Sequence, residues 1–324
     1  PLRSSAASDV YKRQSLMGGL YPTLTREQSF HVSGWRERHP DLVTMNQHFG
    51  RQGYETIGLG KIYHGHTGKG IDRENWSQWI NVNAPDYALP ENIENLKAAL
   101  EANEVGTAHD PPKGPLTEMA DVHDYTYIDG KRSQIAVATL KKLSEKKDQP
   151  FFFAVGLSKP HLPFVAPKKY WDLYNREDFA MPPNGKLPPG YPEHAANLAA
   201  HEMHKYSDYE GKLPTDFSDE LNRRLLHGYA AATSYADACF GRIMDTLEET
   251  GLAENTIVVL WGDHGFKLGD HSTWVKHTNF ECDTRVPLIV RDPRIDGGKS
   301  TPRLVELIDL YPTLCDLTGI PTPS

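Results

Sequence analysis

An acid and an imidazole stand side by side at Asp263 and His264, and more chemistry-bearing residues crowd the same stretch: Lys267, Asp270, His271, Lys276 and His277. The pair follows Thr256–Trp261, an apolar run rich in β-branched side chains that reads as a strand buried on both faces. Two other apolar runs end the same way. Tyr54–Leu59 stops at Gly60 and is followed at once by Lys61 and His64, while Pro150–Leu157 is followed by Lys159, Pro160 and His161. An adjacent Asp and His supply two ligands of a cation site, with more required from elsewhere. Lysines and further histidines around such a cation form a pocket for a tetrahedral oxyanion such as sulfate or phosphate. A histidine can also move a proton to a leaving oxygen near neutral pH. Singly, each residue has a plain explanation as a strand-end charge or a capped loop histidine. Arriving together at three strand ends, they point to one site. Within residues 15–324 no Ser, Thr or Cys stands in a recognisable activated setting.

The elements that must position these residues alternate helix with strand. Thr44 caps a short helix ended by Gly53, and Asp129–Lys146 reads as a helix feeding the Pro150–Leu157 strand. Asp219–Gly251 is the longest helical pattern, with Leu225, Tyr229, Ala232, Ala236, Cys239, Ile243 and Leu247 on one face. Val286–Val290 reads as another buried strand, and Leu304–Thr318 as a closing helix. The expected fold class is α/β, a mostly parallel sheet flanked by helices on both faces. Parallel strands bring their carboxyl ends to one rim, where open α/β sheets hold ligands. Residues 65–120 are loop-rich, with a weak helix near Ile93–Ala102, and residues 165–218 form a Pro/Gly-rich insertion. Its His201 and His204 lack metalloprotease spacing and read as a solvated turn.

Length and composition set outer bounds. A chain of 324 residues can bury a large core, and a net charge of -8 gives no chain-wide basic footprint for nucleic acid. No apolar run approaches the roughly 20 residues of a membrane span. The three cysteines, Cys239, Cys282 and Cys315, are scattered, and the first and last fall in helical patterns as small core residues. Ser4–Gln14, SSAASDVYKRQ, resembles the translation of a transposon-type sequencing adaptor from a metagenomic assembly, so residues 1–14 are set aside as non-native.

WGDHGFKLGDHSTWVKHTNFE, GLGKIYH, AVGLSKPHLPF, ADVHDYTYIDG and VELIDLYPTLCDLTGIP together resemble the type I sulfatases of the alkaline-phosphatase superfamily, nearest to bacterial iduronate-2-sulfatase-like enzymes. The resemblance runs from about Ser15 to the end. It implies a calcium ion, rather than magnesium, and a formylglycine made from Cys or Ser in a Cys-x-Pro-Ser-Arg motif. By the same resemblance Asp263 and His264 match calcium ligands. Lys61 matches the lysine that holds the anion, and His64 the histidine that assists breakdown of the sulfated hydrate. His161 and Lys276 match residues that contact the sulfate and assist the leaving alcohol. The implied reaction is attack of the formylglycine hydrate on sulfur, release of the alcohol, then elimination of sulfate. The implied substrate is a sulfated carbohydrate, and the implied location periplasmic or secreted.

One departure stands out. The nucleophile motif should occupy positions 9–13, which read Asp9, Val10, Tyr11, Lys12 and Arg13, with the arginine read as a coincidence. Residues 15–324 are therefore expected to be an incomplete sulfatase catalytic domain, without nucleophile, earlier Asp-Asp ligands or C-terminal subdomain, and inactive as written. Two alternatives remain: a phosphonate or phosphate monoester hydrolase of the same superfamily, and a non-catalytic anion-binding or scaffold protein.

Overall fold

The computed structural model describes residues 9–26, 35–64, 68–102, 111–192, 202–209 and 217–323. Its centre is a three-stranded parallel sheet, β2 (Gln78–Ile80), β1 (Glu55–Gly60) and β4 (Phe151–Gly156), in that order. The register of β1 on β4 is continuous from Glu55 opposite Phe151 to Gly60 opposite Gly156, so the two strands end level. Between them in sequence, α4 (Ile128–Ser144) buries Ala136, Leu140 and Leu143. Leu140 and Leu143 meet Ile57 of the sheet and Leu247 of the long helix α5 (Asp219–Glu249). A side-chain cap at Ser218 starts α5, its hydroxyl accepting from the Leu221 amide. A second parallel pair, β3 (Thr117–Ala120) and β5 (Phe164–Pro167), packs against the same helix.

The α/β reading therefore holds, with three differences in detail. β6 (Val258–Trp261) is half-buried rather than buried on both faces, and it pairs antiparallel with β7 (Leu288–Arg291). The latter is no core strand: Ile289 and Val290 are exposed at 57% and 41%, because β7 is an outer strand with an open face. The closing helix α6 (Leu310–Thr318) begins later than its apolar pattern suggests, after a 3-10 turn at Leu307–Asp309, and Leu304 is fully exposed. The short helix after Thr44 is α2 (Met45–Arg51), and the helix expected near Ile93–Ala102 is α3 (Pro90–Ala102). Cys239 and Cys315 are buried core residues.

Among the described residues the sheet is split. β4 and β6 each carry a ladder partner on one side only, and residues of both line one cavity of about 1480 Å³. Phe151–Gly156 and Thr256–Trp261 both border it. Lys61, Lys159, His161, Asp263 and His264 also line this cavity. No described helix is long and apolar enough to cross a membrane.

Candidate anion site at the strand ends

The strand ends meet because two glycines let the backbone close up there. Gly60 has φ +82, and a Cβ on it would lie 2.2 Å from the Gly156 carbonyl oxygen. A Cβ on Gly156 would lie 2.1 Å from the Lys61 carbonyl oxygen. With both bare, the Lys61 amide donates to the Gly156 carbonyl at 3.0 Å, and Lys61 leaves β1 directly into the cavity lining. The loop after β4 is shaped by Asp129, a fully buried carboxylate on the first turn of α4. It accepts from the Ser158 amide at 2.9 Å and the Lys159 amide at 2.7 Å, and pairs with Arg132 at 2.8 Å. That clamp sets the chain path into His161.

Lys276, His161 and Glu202 then form a tight triangle. The Lys276 Nζ lies 2.6 Å from His161 Nε2 and 2.8 Å from a Glu202 carboxylate oxygen, and His161 Nε2 lies 2.9 Å from the other oxygen. The imidazoles of His161 and His264 meet edge to face with centroids 6.1 Å apart. Burial lowers the His161 pKa from its ordinary value, against the pull of Glu202 and with the push of Lys276 and Lys61. Burial also acts to raise the Glu202 carboxyl, but the His161 and Lys276 charges outweigh it and hold that carboxyl well below the usual range. Lys159, enclosed below, donates to the His161 carbonyl at 3.1 Å, and burial pushes its amine down to about 8.

Of the residues singled out from sequence, Lys61, His161, Asp263 and His264 line one cavity, and Lys276 joins through His161. His64 stands beside them, its carbonyl accepting from Gln14 at 3.2 Å, but its ring is not among the groups lining the cavity. Lys267 and Asp283 instead form a buried ion pair at 2.5 Å, joined by Thr278. His271 stacks on Phe280 with centroids 4.2 Å apart. His204 lies in a 3-10 turn, and His201 falls outside the described residues.

Two site residues escaped the sequence. Glu202 sits in a segment without periodicity, inside a His-x-x-His spacing that reads as a solvated turn. Arg13 was set aside with residues 1–14, yet it lies on the unbroken helix α1 (Asp9–Gly18) and is 6% exposed. Its guanidinium is 2.7 Å from the Asp263 carboxylate, donates to the Ile62 carbonyl at 3.2 Å, and also bonds the Lys61 carbonyl. Arg13 thus reaches the strand ends that carry Lys61 and Asp263.

The same contact bears on calcium. Asp263 and His264 offer two ligands where calcium takes roughly six to eight, mostly oxygens. The Asp263 charge is already matched by Arg13, and no group of three or more His, Cys, Asp or Glu side chains suited to a metal occurs among the described residues. These residues do not by themselves fit the ion.

Comparison with known proteins shows the family of the chain. The Sulfatase family model matches residues 11–320. Iduronate 2-sulfatase of Mus musculus is 31% identical over 344 residues, covering 96% of this chain and 60% of the relative. Phosphonate monoester hydrolase from Silicibacter pomeroyi superposes with a TM-score of 0.68 at 20% identity, over 97% of this chain and 64% of that one. A protein solved in complex with its substrate D-glucosamine-2-N,6-O-disulfate also gives 0.68, at 18% identity, over 99% and 70%. These structural likenesses carry the fold. The chain spans about 60% of the length of the curated relative it matches.

Proposed function

Because this chain belongs to the sulfatase family, we propose that its parent protein is a sulfuric ester hydrolase acting on a sulfated carbohydrate. The observation that supports this reading is the meeting of Lys61, His161, Lys276 and the Asp263–His264 pair at one rim, on a chain matched to the family over residues 11–320. Lys276 and Lys61 bring positive charge to a tetrahedral anion. His161, held through Nδ1 by the Leu162 carbonyl at 2.9 Å, turns Nε2 toward the anion, where it can pass a proton to the leaving oxygen. Arg13 ties Asp263 to the backbone after β1. A formylglycine would supply the nucleophile that attacks sulfur. Positions 9–13 hold neither Cys nor Ser, so the chain as written is proposed to bind anions without turnover. Calcium in the parent would need ligands beyond the described residues.

The test compares the 324-residue chain with a full-length parent carrying Cys at the motif start, each assayed on an aryl sulfate and on a phosphate monoester. The expected result is turnover by the parent, faster on the sulfate, and none by the chain. Native-rate turnover by the chain would refute its proposed inactivity, and a parent faster on the phosphate would replace the sulfatase reading with the phosphohydrolase one.

A further inference from the structure

The triangle of Lys276, His161 and Glu202 cannot satisfy all of its own contacts. His161 Nδ1 faces the Leu162 carbonyl at 2.9 Å and so carries a hydrogen. Its Nε2 lies 2.6 Å from the Lys276 ammonium and 2.9 Å from the Glu202 carboxylate. A bare Nε2 accepts from Lys276 but meets Glu202 lone pair to lone pair. A protonated Nε2 donates to Glu202 but confronts the ammonium at short range, a state that burial further disfavours. The second carboxylate oxygen of Glu202 reaches Lys276 at 2.8 Å and His277 at 4.0 Å. Glu202 thus lays two negatively charged oxygens on the donors that an incoming sulfate would use.

We propose that Glu202 is a built-in competitor, a carboxylate that occupies the anion seat of Lys276 and His161 in the ligand-free protein and is displaced when a sulfate group enters. This rests on the anion-site reading above. The backbone beside it is anchored: Met203 is fully buried against Leu116, Leu162 and Trp274, and the Lys205 carbonyl accepts from the Lys113 amide at 2.8 Å. With the chain anchored immediately after it, rotation of the Glu202 side chain is enough for the exchange. A competitor of this kind weakens the hold on inorganic sulfate, so that a product left in the site is expelled as the carboxylate returns. An ester must then add contacts through its sugar to win the seat.

The experiment is calorimetric titration of the 324-residue chain with sodium sulfate at constant ionic strength, for the wild type, Glu202→Gln, Glu202→Ala and Lys276→Ala. Circular dichroism checks that each variant is folded. The expected result is about tenfold tighter sulfate binding by both Glu202 variants, as removal of a like charge from the seat requires, with binding lost in Lys276→Ala. Unchanged or weaker binding in both Glu202 variants, with Lys276→Ala still abolishing it, would overturn the competitor and leave the anion site standing. Sulfate binding that is absent, or indifferent to Lys276, would bring down the anion-site reading and the competitor with it.

Discussion

The guanidinium of Arg13 and the carboxylate of Asp263 meet at 2.7 Å across 250 residues of sequence, with both side chains largely out of water. The pairing fastens α1 to the end of β6, and the same guanidinium holds the backbone after β1. A charge left alone in that position is expensive. Arg13→Ala is expected to lower the unfolding free energy by about 3 kcal/mol, read by urea denaturation. Arg13→Ala combined with Asp263→Asn should cost less than the sum of the two single changes. Strict additivity would mean that the contact carries no coupling.

Since Asp263 is committed to Arg13, calcium gains little from this chain. Its unfolding midpoint is expected to be the same in millimolar calcium as in EDTA, because a ligand raises stability only when it binds the folded state. A calcium-dependent rise of several degrees would show a complete cation site and refute this account.

The Lys267–Asp283 pair is structural, and its test is one of stability rather than binding. Lys267→Ala strands a buried carboxylate and should cost about 3–5 kcal/mol. Lys267→Met with Asp283→Leu, which removes both charges, should recover most of that loss in the same denaturation series. Sulfate affinity should not move with the double change.

Lys159 gives a pH dependence with a definite sign. Burial lowers its amine to about 8 from the usual 10.5, so between those values the unfolded chain binds more protons than the folded one. Stability from this group is therefore reduced below about pH 8 and rises as the pH climbs toward 10.5. The full span is up to about 3 kcal/mol. Comparing unfolding free energies at pH 7.5 and 10 for wild type and Lys159→Met isolates it: the variant should lack this rise.

Asp129 should act on the site from a distance. Asp129→Asn keeps the shape but weakens the charge-assisted bonds to the Ser158 and Lys159 amides, at a cost of about 2 kcal/mol. The loop leading to His161 should loosen, and sulfate affinity should fall although no ligand contact is removed. Unaltered affinity in a destabilised variant would confine Asp129 to folding.

Much of this was legible in the sequence. Apolar strands followed abruptly by Lys, His or Asp pointed to both the α/β class and five of the residues that meet at the rim. The level ends of the parallel pair β1 and β4 account for Lys61 and His161, whereas Asp263 and His264 arrive on β6, which pairs antiparallel in a separate sheet. Glu202 was not legible, since its role depends on where a segment without periodicity crosses the sheet end. Arg13 was hidden by the foreign-looking residues around it. The exposure of Ile289 and Val290 was misread because β-branched apolar residues suit an edge strand as well as a central one. Lys267 shows the reverse error: charge density near a site is not itself part of the site when one member turns inward to its own carboxylate.

The open edges of β4 and β6 have a practical side. Among the described residues each of these strands has a ladder partner on one side only, and their Phe152, Ala154, Val259 and Trp261 pack on the nearby core. An extended peptide laid along either edge could continue its ladder. Concentrated preparations of this polypeptide should accordingly be adhesive, recruiting strands from neighbouring molecules. A short apolar peptide supplied in excess should suppress that association by covering those edges first.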